Sequence, residues 1–282
     1  MQGAAAAPAA GTVLNALATG TGSAFAIDVE TTATVTLDDS ETVTGAITDG
    51  DGDTTLIERC VERVVERFGD GQGGHVETES EVPTAAGLKS SSAAANATIL
   101  ATLDALDADE ACSRTEATRI GVEAARDAGV TVTGAFDDAA ASMLGGLVVT
   151  DNDSDDLLVR DRVRWDVLVW TPPATAHSAD ADVERCRQVA PMADHVADLA
   201  LDGQYGTAMT VNGLAYAAAL GFDPDPMVEA MADARGVSLS GTGPSVVAVG
   251  DREHLEAVAE RWDHREGRTW FTTTRPRGAR VL

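Results

Sequence analysis

Two hydrophobic periods alternate along this chain, and a sequence that switches between them must build a mixed fold. Residues 25–37 (FAIDVETTATVTL) alternate with period two and are rich in β-branched side chains, which predicts a strand. Over 54–68 the apolar residues fall at Ile57, Cys60, Val61, Val64, Val65 and Phe68, the stripe of an amphipathic helix, and Gly69-Asp70-Gly71 ends it. The same reading predicts strands at 75–79, 147–150, 167–170, 237–239, 246–249 and 269–272. It predicts helices at 90–106, 115–128, 138–143, 181–200, 204–219, 227–234 and 253–262, with 130–134 extended. Strands and helices come in mixed order, so the expected class is α+β, not a regular βαβ winding. The acidic stretch 151–156 is the expected boundary between two lobes, 1–150 and 151–282.

Charge excludes one class of partner. The formal net charge is -26, with 46 acidic residues against 20 basic ones, and Lys89 is the only lysine. Binding a nucleic-acid backbone draws on clustered positive charge, which this chain lacks. Asp-rich loops at 49–53 and 151–156 are scattered along the sequence, a pattern that fits solubility in concentrated salt better than one acidic interface for a basic partner. A halophilic protein is expected. Cys60, Cys112 and Cys186 stand far apart, and the five histidines have no metal-ligand spacing, so neither a disulfide framework nor a zinc site is predicted. No apolar run approaches the roughly 20 residues of a membrane span, and the alanine-rich start has no basic leader region. A cytoplasmic protein is the expectation, and the sequence leaves its oligomeric state open.

The chemistry concentrates in Pro83-Thr84-Ala85-Ala86-Gly87-Leu88-Lys89-Ser90-Ser91-Ser92-Ala93. A strand runs into a glycine loop, and the loop opens a helix headed by three serines. First-turn N–H groups lack intrahelical partners and sit at the positive end of the helix dipole, so they bind phosphate oxygens. Gly87 lets the backbone approach closely, the serines add hydroxyls, and Lys89 adds a point charge that reaches a phosphate. A serine-capped structural helix is the alternative. It does not explain why the sole lysine stands at a helix N-terminus, where positive charge is unfavourable. The P-loop pattern is absent. Two more glycine-rich segments accompany this one: residues 9–22, which include Asn15, and the turn Ser240-Gly241-Thr242-Gly243-Pro244-Ser245.

These segments together resemble the GHMP kinases. Residues 83–93 resemble that class's signature loop, the Asn15 segment stands in the place of its first motif, and residues 240–245 stand in the place of its third. Thr133-Gly134-Ala135-Phe136-Asp137-Asp138, followed by Gly145-Gly146, resembles its acidic segment. The wording G-T-V-L-N-A, G-L-K-S-S-S-A, T-G-A-F-D-D-A and L-S-G-T-G-P-S is similar to the archaeal shikimate kinase branch. The resemblance implies a two-lobe α+β fold with the site in the cleft between lobes, and phosphoryl transfer from ATP to a small hydroxylated acceptor. Homoserine or mevalonate kinase, or a non-catalytic ligand sensor, are the alternatives. It implies ATP binding by residues 83–93, with Asn15, Gly241, Thr242 and Gly243 forming the substrate and glycine-turn wall. Counting back seven residues from Gly145 selects Asp138 over Asp137 as the catalytic acid. Magnesium is implied, with Ser91 and Asp127 as ligands, and Glu123 stands one helical turn before Asp127. An arginine for the acceptor's carboxylate is expected, although the sequence does not say which.

Overall fold

The computed structural model describes residues 1–48, 52–82, 86–131, 133–174 and 181–282. Its first lobe runs β1 (Gln2–Leu14), β2 (Thr21–Asp38), β3 (Val43–Ile47), α1 (Thr55–Phe68), β4 (Gly73–Ser80), α2 (Ser90–Ala105), α3 (Arg114–Asp127), α4 (Phe136–Leu144), β5 (Leu147–Asp151) and β6 (Asp156–Asp161). The second contains β7 (Asp166–Thr171), α5 (Val183–Arg187), α6 (Ala190–Leu201), α7 (Tyr205–Leu220), α8 (Asp225–Ala230), β8 (Gly236–Leu239), β9 (Val246–Gly250), α9 (Arg252–Trp262) and β10 (Arg268–Thr273). A last short strand, β11 (Arg280–Val281), returns to the first sheet beside β1.

The larger sheet has the order β11-β1-β2-β4-β3, and β5 pairs with β2 and carries β6. Strand β2 is long enough to serve two neighbours on one edge. Its second half pairs antiparallel with β4, from Thr31↔Ser80 to Asp38↔Gly73, and its first half pairs with β5, from Thr21↔Asp151 to Phe25↔Leu147. The smaller sheet has the order β10-β7-β9-β8 and is antiparallel throughout.

Every strand and helix predicted from periodicity is present, with shifted ends, and residues 181–200 divide into α5 and α6. The reading missed β1, β3, β6 and β11. Strand β1 lacks alternation because both of its faces are covered, its residues from Ala5 to Leu14 being buried almost without exception. Helix α2 lies so close to it that a Cβ at Gly3 would stand 2.2 Å from the Ala101 carbonyl oxygen. That approach requires small residues on both partners, and α2 answers with alanines and an apolar surface all round. Around it pack α1, α3, β2 and β4 in one core that includes Ile57, Val61, Ile99, Leu103 and Ile120.

The acidic stretch 151–156 is not a boundary between the lobes. It is the turn of the β5–β6 hairpin inside the first sheet, so sheet membership changes after Asp161. A core shared by both lobes lies beneath: Phe25, Leu147 and Val149 of the first sheet pack with Val167 and Val247 of the second and with Met209 of α7. Trp165 meets Phe25 edge-on at 5.8 Å between ring centroids. Among the described residues no helix is long and apolar enough to cross a membrane.

Candidate active site

A cleft of about 630 Å³ is lined by the first turn of α2, by Asn15 at the end of β1, by the start of α4 and by the turn after β8. Two helices begin at this cleft, and both enter through a left-handed residue that is not glycine. Lys89 is the residue before α2, with φ 66° and ψ 33°, and Ala135 stands before α4 with φ 51° and ψ 45°. Left-handed backbone costs a residue with a Cβ roughly 1–2 kcal/mol, so surrounding contacts must hold both in place. Neither helix has a side-chain cap. The serines therefore do not cap α2; Ser90, Ser91 and Ser92 form its first turn and line the cleft at the positive end of the helix dipole.

The left-handed turn at Lys89 sends its side chain across to α4. Its Nζ donates to Asp138 Oδ2 at 2.9 Å, with both side chains nearly buried, at 10% and 13% exposure. The other carboxylate oxygen, Oδ1, is buried without a hydrogen-bond partner. Burial is the main cause that pushes Asp138 up to about 7; the negative charge of Asp137 adds to the rise, and Lys89 opposes it. Asp137 lines the same cleft but has different partners. Its carboxylate accepts from Asn152 Nδ2 at 2.8 Å, and its backbone N–H donates to Asn152 Oδ1 at 3.2 Å.

Close backbone packing joins the lobes at this point. A Cβ on Gly87 would lie 2.3 Å from the Ser240 carbonyl oxygen, and the Ser240 hydroxyl donates to the Gly87 carbonyl at 2.8 Å. The Asn15 side chain donates to the Gly241 carbonyl at 2.9 Å, while the Gly241 N–H donates to Thr12 Oγ1 at 2.8 Å. A Cβ on Gly241 would stand 2.9 Å from Lys89 Nζ, so glycine there leaves room for the ammonium. The three glycine-rich segments thus converge although they are far apart in sequence.

Gly87, Lys89, Ser90, Ser91, Ser92, Asn15, Gly241, Thr242 and Asp138 all line the cleft. Leu88 and Ala93 are buried behind it, Ala86 belongs to the core under the loop, and Gly243 packs against the Phe222 ring. Pro83, Thr84 and Ala85 lie outside the described residues. Asp127 is not brought to the site: its carboxylate pairs with Arg63 on the exposed face of α3, and Glu123 pairs with Arg67 beside it. The expected arginine is not there either, since Lys89 is the only cationic side chain among the described residues that line the cleft. Periodicity gave no sign of Asn152, which holds Asp137 from inside the acidic run. Its signal was there all the same, an amide standing between Asp151 and Asp153. The apolar end of the cleft, with Ile47, Leu56, Ile57 and Val130, was also missed, because it is assembled from separate elements.

Nothing among the described residues brings three or more His, Cys, Asp or Glu together as a metal cage. The donor set fits an ion carried by a nucleotide, because magnesium keeps several waters and is held by few protein oxygens together with phosphates. Ser91 offers such a hydroxyl in the cleft.

Comparison with known proteins agrees with this geometry. The GHMP kinases N terminal domain matches residues 55–146, and the GHMP kinases C terminal domain matches residues 203–268. A shikimate kinase of Halobacterium salinarum is 64% identical over 283 residues, covering 100% of both chains. One from Methanothrix thermoacetophila is 53% identical and covers 100% of this chain and 96% of that one. Homoserine kinase from Cytophaga hutchinsonii superposes with a TM-score of 0.77 at 18% identity, covering 100% of this chain and 97% of the other. Methanococcus jannaschii mevalonate kinase superposes at 0.76 with 14% identity, covering 97% and 98%; at such identities these two likenesses speak for the fold alone. With the family's N-terminal and C-terminal models both matched and full-length relatives at 64% and 53% identity, the chain belongs to the GHMP kinase family, in its archaeal-type shikimate kinase branch.

Proposed function

We propose that this protein transfers the γ-phosphoryl group of ATP to the 3-hydroxyl of shikimate, with Asp138 as the group that takes the hydroxyl's proton. The observation that carries the reading is the buried Lys89–Asp138 pair, placed where two uncapped helix starts meet in one cleft. The substrate comes from the full-length relatives, which are named shikimate kinases.

In this reading the first turn of α2 holds the phosphates through its N–H groups and serine hydroxyls, with Gly241 and Thr242 forming part of the cleft wall. Magnesium held by the phosphates and Ser91 would neutralise charge on the transferring group. The acceptor hydroxyl hydrogen-bonds to the Asp138 carboxylate, which lines the cleft. Its oxygen forms the new bond to the γ-phosphorus while the bond from that phosphorus to the β–γ bridging oxygen breaks. ADP leaves with the bridging electron pair, and the hydroxyl proton passes to Asp138. A base pushed up to about 7 holds that proton well at neutral pH. Lys89 keeps the carboxylate aimed; its remaining two N–H groups are free to face a phosphate. The apolar end at Ile47, Leu56, Ile57 and Val130 suits a flat, weakly polar base.

The test is an ATP-consumption assay in molar KCl with shikimate, homoserine and mevalonate as acceptors. Shikimate should give the highest kcat/KM. A higher value for either of the others would overturn the substrate and leave the kinase chemistry standing. No turnover with any acceptor would favour a ligand-binding role.

A further inference from the structure

Asp137 and Asp138 are consecutive carboxylates in the first turn of α4, both buried, yet their partners differ completely. Asp138 faces Lys89, and Asp137 faces an amide whose orientation is fixed from behind. Asn152 Oδ1 receives two donors, the Thr150 hydroxyl at 2.8 Å and the Asp137 N–H at 3.2 Å. With its oxygen occupied, the amide can only present N–H to Asp137 Oδ1, which it does at 2.8 Å. Space enforces the same position: a Cβ on Gly22 would lie 2.6 Å from the Asp137 carboxylate, so glycine on β2 makes the pocket into which that carboxylate fits. A surface-seeking first-turn acid would need none of this.

We propose that Asn152 and Asp137 are positioning residues for Asp138: the amide pins the Asp137 carboxylate in the cleft wall, where its negative charge acts on the neighbouring Asp138. Two neighbouring carboxylates resist ionising together, so a negative charge held beside Asp138 raises it. The elevation of Asp138 to about 7, caused first by burial and then by Asp137, is in accord.

Few other charges reach Asp138. Lys89 approaches it from the start of α2. On α3, which also packs against α4, Arg126 turns to Asp155, Arg119 to Asp156, and Asp127 and Glu123 to the arginines of α1. On β5, Asp151 accepts from the Asp153 N–H at the surface, and on β2, Asp28 and Glu30 are engaged by Arg275. From the second lobe Tyr216 is the titratable group that feels the Asp137 charge, a minor cause of its rise behind burial. Asp137 and Lys89 are thus the two charges that set the state of Asp138.

This inference rests on the proposed role of Asp138, so its test needs a readout independent of turnover. Carboxyl ¹³C NMR on aspartate-labelled full-length protein, with Asp138→Asn to assign the resonance, measures the titration midpoint of Asp138 directly. Asp137→Asn keeps shape and a hydrogen bond to Asn152 but removes the charge. It should move the Asp138 midpoint to lower pH by about one unit. The acidic limb of the kcat–pH profile should move the same way. Thr150→Val, which releases Asn152 without touching either carboxylate, should give a smaller shift in the same direction and serves if Asp137→Asn does not fold. An unmoved midpoint in the folded variants would overturn the proposal. A midpoint that moves while the rate profile stays put would support the tuning and overturn Asp138 as the base.

Discussion

At the residue scale the site rests on one buried ion pair, Lys89 with Asp138. Asp138 is buried enough to bind a proton near neutrality, and Lys89 keeps it from rising further. Asp138→Asn removes the proposed base and its charge but preserves shape. It should lower kcat by roughly 10²–10⁴-fold with little change in nucleotide Kd, measured by steady-state kinetics and calorimetric titration. Lys89→Ala should act differently. Without the ammonium, Asp138 takes its proton more strongly, so the rise of kcat with pH should shift to higher pH. Part of the lost rate should return on raising pH, and nucleotide affinity should fall because a charge facing the phosphates is gone. A Lys89→Ala profile with its limb unmoved would mean that the pair does not control protonation.

At the element scale, the site depends on how closely helix and strand approach. Helix α2 delivers Lys89 and the serines to the cleft only because β1 beneath it is built from glycine and alanine. Gly3→Ala would press a methyl group to within 2.2 Å of the Ala101 carbonyl oxygen and 2.5 Å of the Ala105 nitrogen, both of them backbone atoms. The strand or helix must shift to accommodate it, at a cost of about 1–3 kcal/mol. The melting temperature should fall by several degrees, and a variant as stable as the parent would show that α2 has freedom to slide. The C-terminal strand is tied to the same sheet from its other side. Glu30 on β2 receives both Arg275 and Arg280, and the Arg280 bond above all brings it down to about 2.

At the scale of the whole molecule, the net charge of -26 sets the conditions under which the fold holds. The arginines are largely engaged in pairs, such as Arg63 with Asp127 and Arg265 with Glu229, which leaves a large surplus of unpaired carboxylates. Their repulsion is screened over about 3 Å at 1 M salt but over about 10 Å at 0.1 M. The melting temperature should therefore fall on dialysis from molar to 0.1 M KCl, followed by far-UV circular dichroism. A constant value would mean that the acidic surface is balanced locally and serves another purpose, such as a basic partner.

Much of the architecture is legible in the sequence, because half-buried strands and amphipathic helices write their period into it. That is why α1, α3 and β2 are legible, and why a helix start is expected at the serines that follow Gly87. Elements covered on both sides carry no period. Strand β1 and its alanines could be recognised only once α2 was seen lying on it, and β3, β6 and β11 are too short or too exposed to signal themselves. Asp138 was selected by spacing, yet its difference from Asp137 is tertiary: one residue meets Lys89 from another helix, the other meets Asn152 from the end of a hairpin. Asp127 failed to reach the site for the converse reason. Its place in the sequence was compatible, but Arg63 on α1 claims its carboxylate on the outer face. Sequence by itself determined which residue types and helix starts were available for phosphate chemistry. Which charges face one another across a buried gap was decided only by packing, since electrostatic partners depend on distance in space and on the exclusion of water, neither of which is local in the chain.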